Sequence, residues 1–463
     1  MAKLISTNPA NNYEMLGSVL ISSDKEIEEK VKLANSVKSI WRELGLKKRI
    51  KLLKPIFQEF KDRETEIAEL ITKEMWKPIN ESLSEVSWYI EDFDWFVENV
   101  KKAIKDEITY ESKDSIHKIV YEPTWTVAVI SPWNYPFGMF VWWIVPNLLV
   151  WNTVVFKISE ECPLVWKLIE EVFNKYKLPK GVFNEVYWAW DVGEKLARSD
   201  INLIWFTWSS KVWQNLYKIA AEKFIKVILE MWGSNPCIVF DDVDIKKAVE
   251  IIYNKRFKNC WQICTAVKRL IVHESIFDEV VTELKKLLEK KKQGNPLEKD
   301  TDIWSLVALR QVKLLEEQLN DAIEKNVKVI TWWKIPKNLN WAYFEPTLLI
   351  NITKDMNVWK EEVFWPILPV VKFKTEEEAI EMANDTIYGL WAKIITRDLE
   401  KAERVALKIE WGGIEINNAT RWESCNNPFW WYKKSGMWRE HWVIWFRELC
   451  QIKTISMNKN KKK

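Results

Sequence analysis

Glycine is scarce in this sequence. The chain contains 11 glycines among 463 residues, whereas an average share of about 7% would give roughly 32. Tryptophan shows the opposite bias, with 31 residues. Trp332 and Trp333, for example, separate a strand-like apolar run from Lys-Ile-Pro, where a turn normally uses glycine because glycine adopts positive φ without strain.

We therefore expect many printed tryptophans to stand at positions that are glycine in the natively translated protein. This exchange arises when UGA codons that are read as glycine are translated as tryptophan. The alternative is an aromatic-rich protein, which the surrounding Lys, Asn, Ser and Pro residues disfavour because indoles require burial.

Histidine is also rare, and the cysteines are not paired. The histidines stand apart from other metal-type ligands, which disfavours a zinc site and a Ser-His-Asp hydrolase, so we expect no bound metal. The cysteines show no CxxC pair and no disulfide-framework spacing, so reduced thiols are expected. The residues are His117, His273 and His441, with Cys162, Cys237, Cys260, Cys264, Cys425 and Cys450.

Long apolar runs and an excess of one charge are missing as well. No run reaches the length of a membrane span, and the polar start at 1–12 lacks the apolar segment of a signal peptide. The net charge of +3 is small and dispersed, which argues against a nucleic-acid partner. We expect a cytoplasmic protein without membrane or nucleic-acid partners, and a disordered, solvated tail at 458–463.

Helical and strand-like segments alternate along most of the chain. Residues 24–105 indicate amphipathic helices, with Asp24 as a candidate N-cap. From residue 118, short β-branched runs alternate with helical stretches, which is typical of parallel βαβ units and an α/β fold. A second such region follows a turn at Gly233–Pro236. Strands are predicted at 126–130, 152–156, 182–186, 226–229, 269–272, 327–330 and 368–373, and helices at 162–176, 211–223, 276–292, 310–325 and 376–383.

Three polar residues at element ends are candidates for one reactive site. Cys264 precedes a predicted strand, where a thiol with a lowered pKa can act as a nucleophile. Glu230 ends an apolar strand, where a carboxylate can act as a general base. The Asn134 amide follows another strand and can donate to an oxyanion. Taken singly, the ordinary interpretations are a buried structural cysteine, a capping or ion-paired glutamate and a turn-forming asparagine.

With tryptophan interpreted as glycine, these segments resemble the aldehyde dehydrogenase family from about Ile5 to Ile455. The matching motifs are Ser131-Pro132-Trp133-Asn134, Leu229-Glu230-Met231-Trp232-Gly233, Trp261-Gln262-Ile263-Cys264, Glu361-Glu362-Val363-Phe364-Trp365-Pro366, and the stretches 428–431 and 435–440. The resemblance also places glycine at Trp208, Trp213, Trp232, Trp261, Trp365, Trp391, Trp430, Trp431 and Trp438. An aromatic residue fits the contexts of Trp41, Trp95, Trp133 and Trp359.

The resemblance implies a mechanism. Cys264 would be the nucleophile that adds to an aldehyde, with the oxyanion held by the Asn134 amide and the Cys264 backbone N–H. Hydride transfer to a nicotinamide leaves a thioester, which water activated by Glu230 hydrolyses. Family members that pass the acyl group to coenzyme A generally lack this base, so Glu230 favours hydrolysis.

The resemblance also implies the architecture. It predicts a Rossmann-like cofactor domain at 1–114 and 130–233, and an α/β catalytic domain at 234–428. A small β bridging arm at 115–129 and 446–457 would pair with another subunit, with a return segment at 429–445. An edge strand of this kind suits a homodimer or homotetramer.

The cofactor residues follow from the same resemblance. The matching lysine and glutamate of the family bind the adenosine ribose, and a carboxylate at Glu160 would repel a 2′-phosphate. NAD is therefore favoured, with NADP as the alternative. The predicted cofactor-binding residues are Ser131, Pro132, Trp133, Lys157, Ser159, Glu160, Thr207, Trp208, Ser209, Glu362 and Phe364. An indole at Trp208 or Trp213 would obstruct the approach of the backbone to the pyrophosphate.

The substrate expected from the resemblance is a small aldehyde. The segments around Cys264, Glu230 and the C-terminal strand look most like succinate-semialdehyde dehydrogenases. A semialdehyde acid needs a cation at the far end of its tunnel, and Arg269, Lys268 or Arg421 are the candidates. Lactaldehyde and glyceraldehyde 3-phosphate are the alternative substrates, and an inactive structural homologue is the alternative if the tryptophans are authentic.

Overall fold

The computed structural model describes residues 2–9, 11, 13–187, 190–207, 210–257, 259, 262–292, 294–298, 300–302, 305–331, 342–364, 366–419 and 426–459. The strands in these ranges are β1 Lys3–Asn8, β2 Glu14–Leu20, β3 Glu107–Glu111, β4 Ser115–Pro123, β5 Thr126–Ile130, β6 Thr153–Lys157, β7 Phe183–Val186, β8 Leu203–Thr207, β9 Lys226–Glu230, β10 Pro236–Val239, β11 Arg269–His273, β12 Lys328–Val329, β13 Thr347–Ile350, β14 Ile367–Phe373, β15 Tyr388–Gly389, β16 Trp391–Ile395, β17 Gly413–Ile416, β18 Tyr432–Lys433, β19 Gly436–Met437 and β20 Cys450–Asn458.

The helices are α1 Asp24–Glu43, α2 Gly45–Asp62, α3 Glu64–Met75, α4 Ile79–Ala103, α5 Pro136–Leu149, α6 Pro163–Lys175, α7 Trp190–Arg198, α8 Ser210–Lys223, α9 Ile245–Phe257, α10 Phe277–Glu289, α11 Leu309–Glu324, α12 Asn357–Lys360, α13 Glu376–Asn384, α14 Leu399–Ala406 and α15 Trp442–Glu448. A short 3-10 helix at Glu274–Ile276 precedes α10. None of the helices in the described ranges combines the length and apolarity needed to cross a bilayer.

The first helix shows how local sequence sets an element boundary. Ser23 is the N-cap of α1, because its side chain accepts a hydrogen bond from the backbone N of Glu26 at 3.2 Å. The predicted cap, Asp24, is instead the first helical residue, where its negative charge interacts favourably with the helix dipole. The predicted apolar stripe from Ile27 to Val37 is buried, so α1 packs with that face inward.

A six-stranded sheet organises the first half of the fold. Its order is β19-β9-β8-β5-β6-β7, and all neighbours are parallel except β19 and β9. The chain runs outward from β5 to β7 and then returns to β8 on the other side of β5. In such a sheet the ligand crevice lies where the strand order reverses, at the carboxyl ends of the strands. That point lies between β5 and β8.

A seven-stranded sheet organises the second half. Its order is β12-β13-β14-β11-β10-β16-β17, and only the edge pair β12 and β13 is antiparallel. The predicted α/β class is confirmed by these parallel sheets and their helical crossovers. Helix α5 was not predicted, because all of its 14 residues are buried and a helix that is apolar on every side has no hydrophobic period.

A third, three-stranded sheet has the order β20-β4-β3. Strands β20 and β4 pair over their full length, from Cys450 opposite Pro123 to Asn458 opposite Ser115. The predicted arm segments do pair, but with each other, and residues 126–129 belong to β5 of the larger sheet instead. The predicted disordered tail also differs at its start, because Asn458 ends β20 and the Lys459 backbone N donates to the O of Asp114 at 2.7 Å.

Candidate active site

The three residues predicted to be reactive come together beside the six-stranded sheet. Glu230 is the last residue of β9, Asn134 lies between β5 and α5, and Cys264 lies between α9 and β11. The Cys264 thiol and the Glu230 carboxyl group lie close enough for each to shift the pKa of the other. The Asn134 Nδ2 donates to the backbone O of Gln262 at 2.9 Å, two residues before the thiol. Segments far apart in the sequence therefore form one site.

Glu230 has the properties of a base that works near neutral pH. It is 5% exposed, and burial raises its pKa to about 7. Hydrogen bonds from Cys264 and from the Thr207 hydroxyl, which lies 3.5 Å from Oε2, oppose part of this rise. A carboxyl group with such a pKa can both accept and release a proton at physiological pH.

Cys264 is held as a thiol in this arrangement. The residue is partly exposed, but its side chain packs against a small apolar cluster. This burial raises the pKa of the thiol well above its ordinary value, and the Glu230 carboxylate raises it further, whereas the Lys268 charge opposes the rise. Because the Glu230 carboxylate is near enough to raise the pKa of the thiol, the route for the thiol proton is transfer to that carboxylate.

Hydrogen bonds with Asn235 anchor the nucleophile loop, residues 262–268. The Asn235 Nδ2 donates to the backbone O of Cys264 at 2.5 Å and to that of Ala266 at 2.9 Å. The Asn235 backbone O accepts from the N–H groups of Lys268 and Arg269 at 2.8 and 3.1 Å. Sequence analysis missed this function of Asn235. Its only signal was an asparagine in the turn that follows Glu230.

Lys268 lies inside the protein and is fully buried. Its Nζ forms a buried ion pair with Glu362 and donates to the backbone O of Cys264 at 2.9 Å. The Nζ also lies 5.1 Å from the centroid of the Phe364 ring, and Gly233 N donates to Glu362 Oε1 at 3.3 Å. The placement disfavours the predicted contact of Lys268 with a substrate anion. It brings two predicted cofactor residues, Glu362 and Phe364, next to the nucleophile loop.

Arg269 is likewise engaged by the protein. Its guanidinium donates to the backbone O atoms of Ser234, Met382 and Ala383 at 2.9 Å each and to that of Asp385 at 3.2 Å. The side chain is fully buried, which lowers its pKa to about 9. With its donors directed at carbonyl groups, Arg269 anchors the end of α13. This geometry disfavours the predicted substrate contact.

The described cofactor candidates lie at the carboxyl ends of neighbouring strands. Ser131 follows β5, its backbone N donates to the O of Lys157 at 3.1 Å, and Thr207 ends β8. Lys157 ends β6 and its Nζ lies 3.7 Å from Glu160 Oε2. Ser159, which lies between Lys157 and Glu160 in the sequence, is buried. Pro132 and Trp133, which follow β5, are buried as well. Positive and negative groups therefore lie at the edge where the strand order reverses, which fits a nucleotide.

Several predictions fall outside the described residues. They concern Trp208 and Ser209 of the cofactor turn, Trp261 and Trp365, the turn at 332–333, and the substrate candidate Arg421.

Tryptophans crowd the other side of the thiol. Cys264 packs against a cluster that includes Trp391 and Trp431. A Cβ placed on Gly413 would lie 1.8 Å from the Trp391 ring, and one on Gly436 would lie 2.3 Å from the Trp431 ring. The Trp391 and Trp431 rings therefore lie so close to the backbone of Gly413 and Gly436 that no residue other than glycine fits at these two positions.

Some tryptophans adopt backbone conformations that favour glycine. Within the described ranges, five have positive φ: Trp76 (58°), Trp125 (89°), Trp151 (72°), Trp438 (71°) and Trp442 (56°). An L-residue in the left-handed region costs about 1–2 kcal/mol. Also within those ranges, the buried Nε1 atoms of Trp143, Trp166, Trp411, Trp431 and Trp445 have no hydrogen-bond partner, which is unfavourable for a buried donor.

The fold and the site together define an α/β protein in which a cysteine lies beside a buried glutamate at the end of a parallel strand. The model of the aldehyde dehydrogenase family matches residues 2–455. The chain is 33% identical over 457 residues to a lactaldehyde dehydrogenase of Methanococcus aeolicus, covering 97% of this chain and 96% of that protein. It is 32% identical over 452 residues to a glutarate-semialdehyde dehydrogenase of Pseudomonas aeruginosa, covering 97% and 93%.

Solved structures give the same result. A glyceraldehyde-3-phosphate dehydrogenase of Methanocaldococcus jannaschii, complexed with NADP, superposes with a TM-score of 0.91 at 32% identity and 99% coverage of both chains. A betaine aldehyde dehydrogenase of Staphylococcus aureus, in complex with NAD+, superposes with a TM-score of 0.94 at 29% identity, covering 100% of this chain and 92% of that one. This chain belongs to the aldehyde dehydrogenase family and is an oxidoreductase.

Proposed function

We propose that the protein oxidises a small aldehyde to its carboxylic acid through a covalent intermediate on Cys264, with succinate semialdehyde as the preferred substrate. The convergence of Cys264, Glu230 and Asn134 on one site is the observation that carries this proposal. It places a nucleophile beside a base of suitable pKa.

The chain's own groups account for the proton and charge movements. Cys264 Sγ bonds to the aldehyde carbon as its proton passes to Glu230, which gives a thiohemiacetal. The oxyanion accepts a hydrogen bond from the second N–H of the Asn134 amide, whose first N–H is held by Gln262, and another from the Cys264 backbone. Oxidation gives a thioester. Glu230 releases the thiol proton to solvent and, ionised again, removes a proton from the water that hydrolyses the thioester and frees Cys264. A bound nicotinamide supplies the hydride acceptor for the oxidation.

NAD is the proposed cofactor, with NADP as the alternative. The groups at the ends of β5, β6 and β8 fit a dinucleotide, and Glu160 favours free ribose hydroxyls over a 2′-phosphate. Arg310, however, lies 3.9 Å from Glu160, and its charge weakens that discrimination. One structural neighbour is complexed with NAD+ and another with NADP.

The substrate assignment rests on relatives that act on different aldehydes. One relative is named for glutarate semialdehyde, one for lactaldehyde and one for glyceraldehyde 3-phosphate. Two of these three substrates carry an anionic group, as succinate semialdehyde does. Lactaldehyde and glyceraldehyde 3-phosphate remain the second candidates.

We also propose that glycine occupies many of the printed tryptophan positions in the natively translated enzyme. The positive φ angles, the crowding of Cys264 by Trp391 and Trp431, and the unpartnered indole N–H groups support this proposal. The alternative, an inactive homologue with authentic tryptophans, has the same scaffold.

We also propose the domain division, the oligomeric state and the location that the sequence predicts. The three sheets support a division into a cofactor domain, a catalytic domain and an arm. Strand β20 forms an outer edge of the arm and is largely exposed, which supports a homodimer or homotetramer. A cytoplasmic enzyme without membrane or nucleic-acid partners is expected.

The test is NADH formation by natively translated protein with succinate semialdehyde, compared with Cys264→Ala. We expect succinate as the product, and we expect Cys264→Ala to lose activity because no other described group can form the thioester. Absent activity with every aldehyde tried, or activity that survives in Cys264→Ala, contradicts the proposed function.

A further inference from the structure

A cavity of about 350 Å³ opens beside the nucleophile loop. Ile263 and Thr265, the residues on either side of Cys264, lie in its wall. Helix α4 forms another part of the wall, and α9 and β16 contribute one lysine each, Lys255 and Lys393. The cavity therefore lies next to the nucleophile loop, and the neighbours of Cys264 rather than Cys264 itself form its wall.

The two lysines share one carboxylate. Lys255 Nζ lies 2.9 Å from Glu415 Oε1, and Lys393 Nζ lies 2.6 Å from Glu415 Oε2. Lys393 is 4% exposed and Glu415 is 3% exposed, so water screens these charges weakly. With two cations and one anion, the Lys255–Glu415–Lys393 cluster has an excess of one positive charge.

The opposite wall does not provide such an excess. There Lys77 is paired with Glu85 in a buried one-to-one ion pair, and the Glu81 carboxylate accepts a hydrogen bond from the backbone N of Asn259 at 2.8 Å. Counting Glu81, this part of the wall is anionic, and the cationic part of the cavity is the Lys255–Glu415–Lys393 cluster. Burial lowers the pKa of Lys393, and the nearby charge of Lys255 acts in the same direction, so an additional anion would be stabilising there.

We propose that the Lys255–Glu415–Lys393 cluster binds the anionic end of the aldehyde substrate. This inference rests on the proposed function and narrows its substrate class to aldehydes with a carboxylate or phosphate at the end remote from the carbonyl. The cluster takes the place of Arg269 and Lys268 as the cationic group that binds the substrate. The Arg269 guanidinium donates to backbone carbonyl groups, and Lys268 is paired with Glu362 beside the nucleophile loop.

The experiment compares Lys255→Met with the wild type on three aldehydes. These are succinate semialdehyde, glyceraldehyde 3-phosphate and uncharged butanal, and the readout is the ratio of kcat/KM for each anionic aldehyde to that for butanal. We expect the ratio for the preferred anionic aldehyde to fall about tenfold or more, mainly through KM, as for the loss of a charged hydrogen bond. The preferred anion distinguishes a carboxylate substrate from a phosphate substrate.

Glu415→Gln is the matched variant of opposite sign. It removes the only carboxylate of the cluster and should raise the same ratio, whereas Lys285→Met, which removes an exposed lysine of α10, should leave it unchanged. Lys393→Met provides a second test if Lys255→Met does not fold, as judged by circular dichroism. An unchanged ratio in every folded lysine variant overturns the inference and leaves the proposed function intact.

Binding of succinate gives a readout that needs no catalysis. Succinate should raise the Tm of the wild type and raise it less in the lysine variants. If no aldehyde is oxidised but succinate still binds in a Lys255-dependent way, the proposed function fails and the anion site stands. If succinate binds equally to the wild type and the lysine variants, the inference fails.

Discussion

The two sides of the nucleophile loop carry lysine–glutamate clusters that differ in their ratio of positive to negative charges. On the side of the crevice, Lys268 and Glu362 form an ion pair that also holds the backbone of Cys264, and the buried Arg256 charge lies nearby without a salt bridge to Glu362 among the described residues. On the side of the cavity, Lys255 and Lys393 share Glu415. A balanced buried pair can only position its surroundings, whereas an unbalanced cluster next to a cavity can also attract a ligand.

The largest effect is expected on the crevice side, from Glu230→Gln. Loss of the base should lower the rate by about 10²–10⁴-fold. In the wild type, activity should fall as the pH drops below about 7, because the Glu230 pKa is raised to about 7 and the base must be ionised. The pH–rate profile of kcat measures this limb, which should vanish in Glu230→Gln.

The same group gives a stability control. Because burial raises the pKa of Glu230 in the folded chain, its stabilising contribution is complete at acid pH and is lost as the pH rises to about 7. The free energy of unfolding of Glu230→Gln should therefore rise relative to that of the wild type over this interval. A kcat profile of identical shape in both proteins would exclude Glu230 as the base.

The next largest effect is a difference in the free energy of unfolding between variants of the Lys268–Glu362 pair and of the Lys255–Glu415–Lys393 cluster. Lys268→Met removes the ion-pair partner of the buried Glu362 and leaves only the nearby Arg256 charge, so it should lower the free energy of unfolding by about 3–5 kcal/mol. In Lys255→Met, Glu415 keeps Lys393, so we expect a loss of less than about 2 kcal/mol. Urea unfolding of both variants measures the difference.

The double variant Lys268→Met/Glu362→Met is the control for this prediction. It removes both charges of the balanced pair and should recover much of the stability lost in Lys268→Met. Equal losses in the two single variants would mean that the difference in charge balance has no energetic consequence.

The smallest effect concerns the tryptophans of the crevice side. Trp438 follows β19, which pairs with the end of β9 that carries Glu230, and its φ is 71°. Trp438→Gly should raise the free energy of unfolding by up to about 1 kcal/mol, because relief of the left-handed strain exceeds the loss of a cation–π contact with Lys226. Thermal unfolding measures the change.

Trp41→Gly is the matched control. Trp41 is fully buried and its Nε1 donates to the O of Leu148 at 3.0 Å, so its removal should cost about 3–5 kcal/mol. The intact mass of natively expressed protein decides the identity of these residues directly. A mass that matches the printed sequence contradicts the glycine proposal.

Local sequence was sufficient for most strands of the parallel sheets and for the ends at which reactive residues lie. Strand 126–130 was predicted with its observed bounds, and Glu230 was predicted at the end of its strand. A short apolar run predicts a strand that is buried on both faces. Such a run has no distinctive period, so the fully apolar α5 and the strands β8, β10, β13, β16, β17 and β19 were not predicted.

Residue types and motifs thus determined the α/β class, the family and the candidate group of Cys264, Glu230 and Asn134, because strand ends and their polar residues are local features. Only the tertiary structure decided which lysine faces which carboxylate. Lys393 and Glu415 are neighbours because β16 and β17 pair in parallel with these two residues in register, and Lys255 joins them from a helix. Such a cluster depends on the register between distant segments, and no local pattern encodes that register.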